Sequence, residues 1–402
     1  MSHLPFSSSK ANSSQSFDVV VVGAGAMGSA TAYHLAQDGQ RVLLLEQFQI
    51  GHLYGSSHGG SRIIRYTHED IDFTRWMPAT FALWQRLEHE SGQSLMQLTN
   101  GLYFGLTNDP FLSGAQHALH TLGFPYRLLT AGDVRKEFPQ FQLEDKWIAL
   151  EQTETGILAA TRCVQTLVTQ AIRHGATVQE ACKVLTIRME GEGVAVRYAT
   201  HSTETEVYAQ RVVITAGPWV HQLLDPLLGY RLPLTPTHQQ VAYFRVEKPE
   251  LYAIGRCPIH IFFDDNLGAY GFPIYEKPGY VKVAIELADI PIDPDQPATI
   301  DQQALQLLSA TVAERLVGVD PEPQWTESCR YTETPNRDFI IDRHPEYPQI
   351  IFATGFSGRG FKHSIAIGRT LADMTQSEPG VYHQEFWLPR FALKVFAPRG
   401  QQ

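Results

Sequence analysis

The fold is decided by the stretch Phe17–Glu46, which reads FDVVVVGAGAMGSATAYHLAQDGQRVLLLE. Its valine-rich start is typical of a strand that is buried on both faces of a parallel sheet. A glycine-rich turn follows, then a predicted helix over Ser29–Asp38 and a second predicted strand over Arg41–Glu46. A βαβ unit of about 30 residues with an acidic residue closing its second strand predicts a dinucleotide-binding domain.

Three glycines and one glutamate in this unit are the predicted dinucleotide contacts. Gly23 permits the tight turn, Gly25 lets the backbone approach a pyrophosphate, and Gly28 lets the helix pack closely on the strand. The amino end of the helix offers N–H groups and a positive dipole to phosphates. Glu46 is expected to accept hydrogen bonds from ribose hydroxyls and to repel a 2′-phosphate. The loop itself leaves open whether the ligand is NAD or FAD.

Later segments extend the predicted fold. Strands over Arg211–Gly217 and Ile350–Gly355 return to the first sheet, and a helix over His363–Met374 follows the second of them. Between them, Gln240–Val246 and Tyr280–Glu286 alternate in a way that indicates antiparallel strands with one covered face. We therefore predict an α/β fold with a Rossmann-like domain built on a parallel sheet, and a second, α+β domain built on an antiparallel sheet that binds the substrate.

Both domains are predicted to be discontinuous in sequence. The dinucleotide domain is expected to comprise residues 17–89, 151–224 and 326–390, and the substrate domain residues 90–150 and 225–325. Residues 1–16 are polar and rich in serine, and we expect them to form a disordered leader.

The composition excludes several classes of function. The 402 residues carry a net charge of −10, which argues against a nucleic-acid partner, because phosphate binding needs a concentrated basic face. We find no apolar run of about 18 residues, no signal-peptide pattern and no C-terminal peroxisomal tripeptide, so no membrane contact is expected. The cysteines are far apart and form no CxxC pair, which predicts a reducing cytoplasm with neither a disulfide framework nor a metal site: Cys163, Cys182, Cys257 and Cys329.

Four further motifs carry a resemblance. They are GSSHGGSRIIR at 55–65, CRYT at 329–332, DFIID at 338–342 and GFSGRGFK at 355–362. Together with the N-terminal loop they resemble the monomeric sarcosine oxidase family, which includes the N-methyltryptophan and pipecolate oxidases. The fructosyl-amino acid oxidases are close relatives. The resemblance runs from about residue 17 to residue 385, with the motifs in the same order and at similar spacing.

The resemblance implies an FAD enzyme whose flavin is joined to a cysteine sulfur, and by motif that cysteine is Cys329. It places Ser61 and Arg62 beside the flavin. It also implies that three glycines let backbone N–H groups close on the pyrimidine edge of the flavin, where negative charge gathers on reduction: Gly355, Gly358 and Gly360. Without the resemblance, a lone cysteine between strands is typical of an inert buried thiol.

The resemblance also implies the substrate contacts. Arg65 and Lys362 would bind the substrate carboxylate from two sides, a task for which the planar arginine fork is suited. Lys282 would lie over the flavin ring and stabilise superoxide as O2 takes an electron. Tyr270 matches a tyrosine of the pocket wall. From composition alone, Lys282 is more typical of an exposed strand lysine, and the arginines of surface charge.

This chain departs from the family pattern at three positions. Glu286 stands where sarcosine-type oxidases carry histidine and where fructosyl-amino acid oxidases carry a glutamate that contacts sugar hydroxyls. A solvated strand-end carboxylate is the plainer interpretation of Glu286. Arg359 replaces a histidine of the GFSGHGFK motif and Arg330 follows the flavin cysteine, so both could alter the mouth of the pocket.

We therefore predict a monomeric FAD-dependent oxidase of small secondary amines such as N-methyl amino acids. It would oxidise the C–N bond to an imine and reduce O2 to hydrogen peroxide. Fructosyl-amino acids and cyclic imino acids such as pipecolate are the alternative substrates. A flavin dehydrogenase with an acceptor other than O2 and a non-catalytic flavin-binding protein are the alternatives of a different class.

Overall fold

A computed structural model describes residues 16–264, 267–286, 290–376, 378 and 380–398. The predicted leader lies outside these residues except for Ser16, which begins the first strand. The strands are β1 (Ser16–Val22), β2 (Val42–Leu45), β3 (Arg62–Arg65), β4 (Met96–Leu98), β5 (Gly101–Leu106), β6 (Arg127–Thr130), β7 (Trp147–Gln152), β8 (Thr155–Leu158), β9 (Thr177–Gln179), β10 (Lys183–Glu190), β11 (Gly193–Ala199), β12 (Glu204–Ile214), β13 (Thr235–Val246), β14 (Ile259–Asp264), β15 (Leu267–Gly271), β16 (Tyr280–Ile285), β17 (Val319–Glu333), β18 (Ile340–Arg343) and β19 (Ile350–Thr354). The helices are α1 (Ala26–Gln37), α2 (Ile71–Ser91), α3 (Pro110–Leu122), α4 (Ala131–Glu137), α5 (Ala160–Arg173), α6 (His221–Leu228), α7 (Gln302–Arg315), α8 (Ser364–Met374) and α9 (Val381–Phe386).

The first sheet has the predicted parallel centre. Its strand order is β10-β11-β12-β1-β2-β9, and β19 pairs with both β12 and β18. The pairs β1·β12, β1·β2, β2·β9 and β12·β19 are parallel, and Val20 lies opposite Leu43 on one side and Val212 on the other. The four predicted strands of the Rossmann-like sheet are therefore confirmed as β1, β2, β12 and β19, and so is the α/β class.

The first helix packs unusually closely on this sheet. It begins at Ala26, three residues before the predicted start, because Gly25 in extended backbone already serves as its N-cap. A Cβ at Gly28 would lie 1.8 Å from the carbonyl oxygen of Gly23, so a side chain there would separate α1 from the turn. On the far side of α1, a Cβ at Gly368 of α8 would lie 2.5 Å from the Cβ of Ala30.

The second sheet is almost wholly antiparallel. Its order is β17-β13-β16-β15-β14-β5-β7-β6, and the pair β14·β5 is parallel. In this register Tyr243 of β13 lies opposite Lys282 of β16, and Gln239 of β13 lies opposite Cys329 of β17. The sheet therefore brings the predicted oxygen-site lysine and the predicted flavin cysteine onto strands that flank β13.

The prediction of one covered face for these strands is wrong. Residues Val281–Ile285 of β16 are all buried, Lys282 included. One face packs on an apolar core that contains Val281, Val283 and residues of α7, while the other lines the cavity described below. The exposed strand lysine that composition favoured does not occur here.

The division into two domains stays a prediction. Strand β17 runs from Val319 to Glu333 and so crosses the predicted boundary between residues 325 and 326. A small sheet of order β3-β8-β4 lies apart from the two large ones. Among the described residues, no helix combines the length and the hydropathy that a membrane crossing requires.

Candidate active site

Two adjoining cavities contain most of the predicted site residues. The first cavity is lined by the nucleotide loop, Glu46, Gly51, His52, residues 55–58, residues 215–219 and the turn residues 355–358, 360 and 361. The second cavity is lined mainly by charged and aromatic side chains. Four residues line both cavities and therefore mark their junction: Arg62, Tyr331, Gly358 and Phe361.

The nucleotide loop has the backbone conformation that only glycine adopts easily. Gly23 has φ +94°, and a Cβ there would lie 2.6 Å from the carbonyl oxygen of Thr215. Gly25 and Ala26 line the first cavity at the amino end of α1, where the Ala26 N–H donates to Ser57 Oγ at 3.0 Å. Gly28 is absent from the lining, so its role here is the packing of α1 on the turn.

Glu46 lines the first cavity at the end of β2. The side chain is buried, and it accepts hydrogen bonds from Ala24 N–H at 2.8 Å and from Phe48 N–H at 2.9 Å. Burial raises the pKa of Glu46, while these backbone donors oppose the shift. Each carboxylate oxygen can accept a further hydrogen bond, so the side chain keeps capacity for hydroxyl donors.

The turn after β19 forms the wall between the cavities. Gly355 and Gly358 have φ values of +67° and +71°, and a Cβ at Gly358 would lie 2.5 Å from the ring of Tyr331. The Ser357 N–H donates to the carbonyl of Thr332 at 3.1 Å, which ties the turn to the end of β17. Gly360 lines the first cavity, where a Cβ would lie 2.6 Å from Phe356.

Cys329 lies near the junction as a free, buried thiol that lines the second cavity. Burial raises the pKa of the Cys329 thiol, while Arg62, Lys282 and Arg330 oppose the shift. Arg62 donates to the carbonyls of Ser61 and Ser56 at 2.9 and 3.0 Å, and its guanidinium lies 5.8 Å from the Phe361 ring centre.

Two cations face the second cavity: Lys362 is buried, and Arg65 is partly buried with a buried Nη1. The Arg65 guanidinium lies 5.5 Å from the Tyr103 ring centre and 5.2 Å from that of Phe111, and its Nη1 has no hydrogen-bond partner among the described residues. Lys362 is 7% exposed, and its Nζ donates to the carbonyl of Arg359 at 3.0 Å. Burial lowers the pKa of both groups, and for Lys362 the charges of Arg65 and Arg359 lower it further. A bound anion would relieve both unfavourable environments.

Lys282 has a carboxylate partner that the sequence did not reveal. Its Nζ donates to Glu276 Oε1 and to Ser61 Oγ, at 2.9 Å each. Glu276 lies in the connection between β15 and β16, which has no periodicity or motif that would have marked it. Although burial acts in the opposite direction, Lys282 and the hydroxyl donors Ser61 and Tyr243 lower the pKa of Glu276 to about 2.

Two half-exposed ion pairs form the rim of the second cavity. Glu286 pairs with Arg337, and Arg359 pairs with Glu69 at 3.1 Å. Glu286 is therefore already bound to a guanidinium and is not the free carboxylate that the sequence suggested. Arg359 lines the second cavity as expected.

Of two other predicted residues, Tyr270 lies in the cavity wall as predicted and Arg330 lies outside both cavities. Arg330 lines neither cavity and donates instead to the carbonyls of Tyr54 and Gln296 at 2.6 and 2.8 Å, so it does not lie at the pocket mouth, and its effect on the pocket stays a prediction. Tyr270 lines the second cavity beside Cys329 and Tyr331, and burial raises the pKa of Tyr270 to about 12.

Residues 18–374 match the family described as FAD dependent oxidoreductase. The chain belongs to this family. It is 36% identical over 372 residues to the peroxisomal sarcosine oxidase of Homo sapiens, covering 89% of this chain and 92% of that protein. It is 30% identical over 366 residues to a monomeric sarcosine oxidase of Bacillus sp., with the same coverage. The solved structure of NikD, an unusual amino acid oxidase essential for nikkomycin biosynthesis, has a TM-score of 0.81 at 26% identity and covers 94% of this chain and 98% of that one.

FAD fits the residues of the first cavity. The glycine turn and the amino end of α1 suit a pyrophosphate, and Glu46 lies at the end of β2 where a ribose would be recognised. At the junction, Gly358 packs directly against the Tyr331 ring, since a Cβ there would lie 2.5 Å from it, and both residues line both cavities. An FAD dependent oxidoreductase of this fold would therefore hold its flavin between the two cavities.

Proposed function

We propose that the protein is an FAD-dependent oxidase of N-methyl amino acids with sarcosine-like substrates. The observation that carries the proposal is the pair of cations, buried Lys362 and partly buried Arg65 with its unpartnered Nη1, in a cavity that adjoins the dinucleotide cavity. Such a pair suits the carboxylate of an amino acid held next to a flavin. The names of the sarcosine oxidases to which the chain is similar support the same substrate class.

Bound FAD supplies the redox chemistry, in which the substrate C–N bond loses two electrons and two protons to become an imine and O2 gains them to become hydrogen peroxide. The protein orients the substrate for this reaction. The Arg65 fork would bind the carboxylate with two parallel hydrogen bonds, and Lys362 would meet it from the other side. Tyr270 would contribute to the wall beside the amine.

Lys282 is the proposed oxygen-site residue. It is 5% exposed and lines the second cavity, where the charge of Arg62 lowers the pKa of Lys282 and the charge of Lys282 lowers the pKa of Cys329. A fixed ammonium ion in a dry site stabilises negative charge that develops on O2 as it is reduced. The presence of Lys282 favours an oxidase over a dehydrogenase that uses another acceptor.

The attachment of FAD to Cys329 Sγ is a further part of the proposal. Cys329 lies two residues before Tyr331, which lines both cavities. We expect acid-precipitated wild-type protein to stay yellow and precipitated Cys329→Ser protein to lose its colour to the supernatant. Cys182→Ser is the matched control, because Cys182 lines the first cavity near Glu46. Release of all colour from the wild type would exclude the linkage.

Fructosyl-amino acids and pipecolate remain the alternative substrates. Glu286 was the reason to consider a sugar, and its pairing with Arg337 weakens that case because a hydroxyl would have to compete with a guanidinium. We also propose that the partners of the protein are a small-molecule amino acid substrate and O2, that the enzyme is a monomer, and that it is located in a reducing cytoplasm. The free cysteines support the location.

The function is tested by peroxide release in air from sarcosine, N-methyl aromatic amino acids, pipecolate, proline and fructosyl-valine. We expect the N-methyl amino acids to give the highest rates. Anaerobic bleaching of the flavin by the same substrates separates amine oxidation from the choice of acceptor. Bleaching without peroxide would indicate a dehydrogenase, and neither signal with any of these amines would contradict the proposal.

A further inference from the structure

We propose that Glu276 is a positioning residue that holds Lys282 as an ammonium ion at the wall of the second cavity. The placement of the two side chains is independent of any assigned reaction. The consequence for O2 reduction rests on the proposed function of Lys282. The two parts can therefore be tested separately.

From the described residues, the Glu276 carboxylate accepts four hydrogen bonds. Oε1 accepts from Lys282 Nζ and from Ser61 Oγ, at 2.9 and 2.5 Å, and Oε2 accepts from the Gly60 N–H at 3.1 Å and from the Tyr243 hydroxyl at 2.7 Å. A carboxylate has about four lone-pair sites, so these donors saturate it. The carboxylate is thereby fixed in place and kept ionised.

The hydroxyl of Ser61 completes the geometry. Because Ser61 donates its proton to Glu276, its oxygen is left to accept from Lys282, which it does at 2.9 Å. Lys282 thus donates to Glu276 Oε1 and Ser61 Oγ, which are themselves hydrogen-bonded to each other, and more weakly to the Ser61 carbonyl at 3.4 Å. A closed network of this kind restricts the ammonium group more than a single ion pair does.

Gly60 is the residue that lets Glu276 come so close. A Cβ at position 60 would lie 2.4 Å from both Cδ and Oε2 of Glu276. The backbone of Gly60 has no positive φ, so the demand for glycine here is spatial and not conformational. The GGSR segment therefore supplies the space at Gly60 and the Gly60 N–H to the Glu276 carboxylate, and the Ser61 hydroxyl oxygen to Lys282.

The charges around Lys282 explain why it needs such a partner. Burial lowers the pKa of Lys282, Glu276 opposes this shift, and Arg62 adds to it. The titratable and charged groups that face the ammonium from neighbouring elements are Arg62, His58, Tyr243, Glu276, Glu327 and Cys329. Glu327 also raises the pKa of Lys282, as a minor contribution without a hydrogen bond to Nζ. Glu276 is therefore the main group that keeps Lys282 protonated.

The experiment measures the protonation of Lys282 directly in the FAD-loaded enzyme. Trace acetic anhydride is applied across a pH series, and acetylation of the peptide containing Lys282 is followed by mass spectrometry, since only the neutral amine reacts. We expect Glu276→Gln to move the onset of acetylation to lower pH by about one unit or more, a tenfold change in proton affinity. Glu276→Asp is expected to restore part of the shift.

Two further variants separate position from charge. Gly60→Ala keeps every charge but displaces the Glu276 carboxylate, so we expect it to shift the onset in the same direction as Glu276→Gln. Glu327→Gln removes a nearby carboxylate that contacts Tyr243 and not the lysine Nζ, so its shift should be smaller. An unchanged onset in both Glu276→Gln and Gly60→Ala would overturn the proposal.

The role of Lys282 in O2 reduction is tested by the rate of flavin reoxidation, measured over the same pH series. If Lys282 is the oxygen site, reoxidation in Glu276→Gln should slow above the same lowered pH, while anaerobic reduction by sarcosine changes less. Lys282→Met should be slow in reoxidation at every pH. A shifted acetylation onset with unaltered reoxidation would support the positioning role of Glu276 and refute the oxygen role of Lys282.

Discussion

The two cavities differ in what lines them. The first is lined by the glycine turn of the βαβ unit, by residues between 47 and 58 and by the loops after β12 and β19, with many glycine, alanine and serine residues. The second is formed by charged side chains from elements far apart in sequence, such as Arg65, Lys282 and Lys362. A cofactor common to a whole family is held by backbone shape, whereas the substrate is selected by side chains that can change without altering the fold.

We expect the largest loss of flavin and of stability when a side chain is added at the glycine turn of the first cavity. Gly28→Ala would place a Cβ 1.8 Å from the Gly23 carbonyl oxygen, so α1 must move away from β1. Overpacking against backbone costs at least about 1–3 kcal/mol. We expect loss of most bound flavin and a lower Tm, measured by flavin absorbance per chain and by thermal unfolding.

Gly39→Ala is the matched control for this substitution. Gly39 also lies at an end of α1, but a Cβ there would meet no described atom within 4 Å. The positive φ of +78° makes it cost about 1 kcal/mol without affecting the cavity. If Gly28→Ala retained full flavin and lost no more stability than Gly39→Ala, close packing of α1 would not be what forms the site.

In the second cavity we expect catalysis to fail while the fold survives. Arg65→Met keeps the apolar contact with Tyr103 and Phe111 but removes the carboxylate ligand. Loss of one member of a buried charge pair costs about 2–5 kcal/mol, so kcat/KM for sarcosine should fall on the order of 100-fold. Flavin content and Tm should hold, because the variant removes a desolvated charge.

Arg359→Gln serves as the control for Arg65→Met. Arg359 lines the same cavity, but it is paired with Glu69 and about one-third exposed, so a change below about fivefold is expected. Both variants are compared by the rate of anaerobic flavin reduction at several sarcosine concentrations. Equal losses of rate would show that sarcosine binding depends on the overall positive charge of the cavity and not on Arg65 as a specific carboxylate ligand.

The smallest effect is expected at the rim. The Glu286–Arg337 pair has side chains that are about 40% exposed, and exposed pairs contribute about 0–1 kcal/mol. Glu286→Gln should therefore change the sarcosine kcat/KM by less than about fivefold. A hundredfold change, or a switch of preference toward fructosyl-valine in peroxide assays, would instead mean that Glu286 contacts the substrate.

The difference between the two cavities also explains which parts of the fold and the site could be predicted from the sequence. The nucleotide turn is encoded locally, by glycine spacing and the adjoining apolar runs, so its strands and helix were predicted within a few residues. Glu276 was missed because its role depends on a contact with Ser61, 215 positions away. The partner of Glu286 was missed for the same reason, since Arg337 comes from a different part of the chain. Side-chain pairing across a tertiary interface leaves no periodic signal.

The central claim is that the flavin and the amine substrate meet at the junction of the two cavities. The most direct test is a crystal structure of the FAD-loaded enzyme with N,N-dimethylglycine, a close analogue of sarcosine. We expect the flavin ring beside Tyr331 and Gly358, its edge near Cys329, and the ligand carboxylate bound between Arg65 and Lys362. A flavin ring outside the junction of the two cavities, or a carboxylate that contacts neither cation, would contradict this.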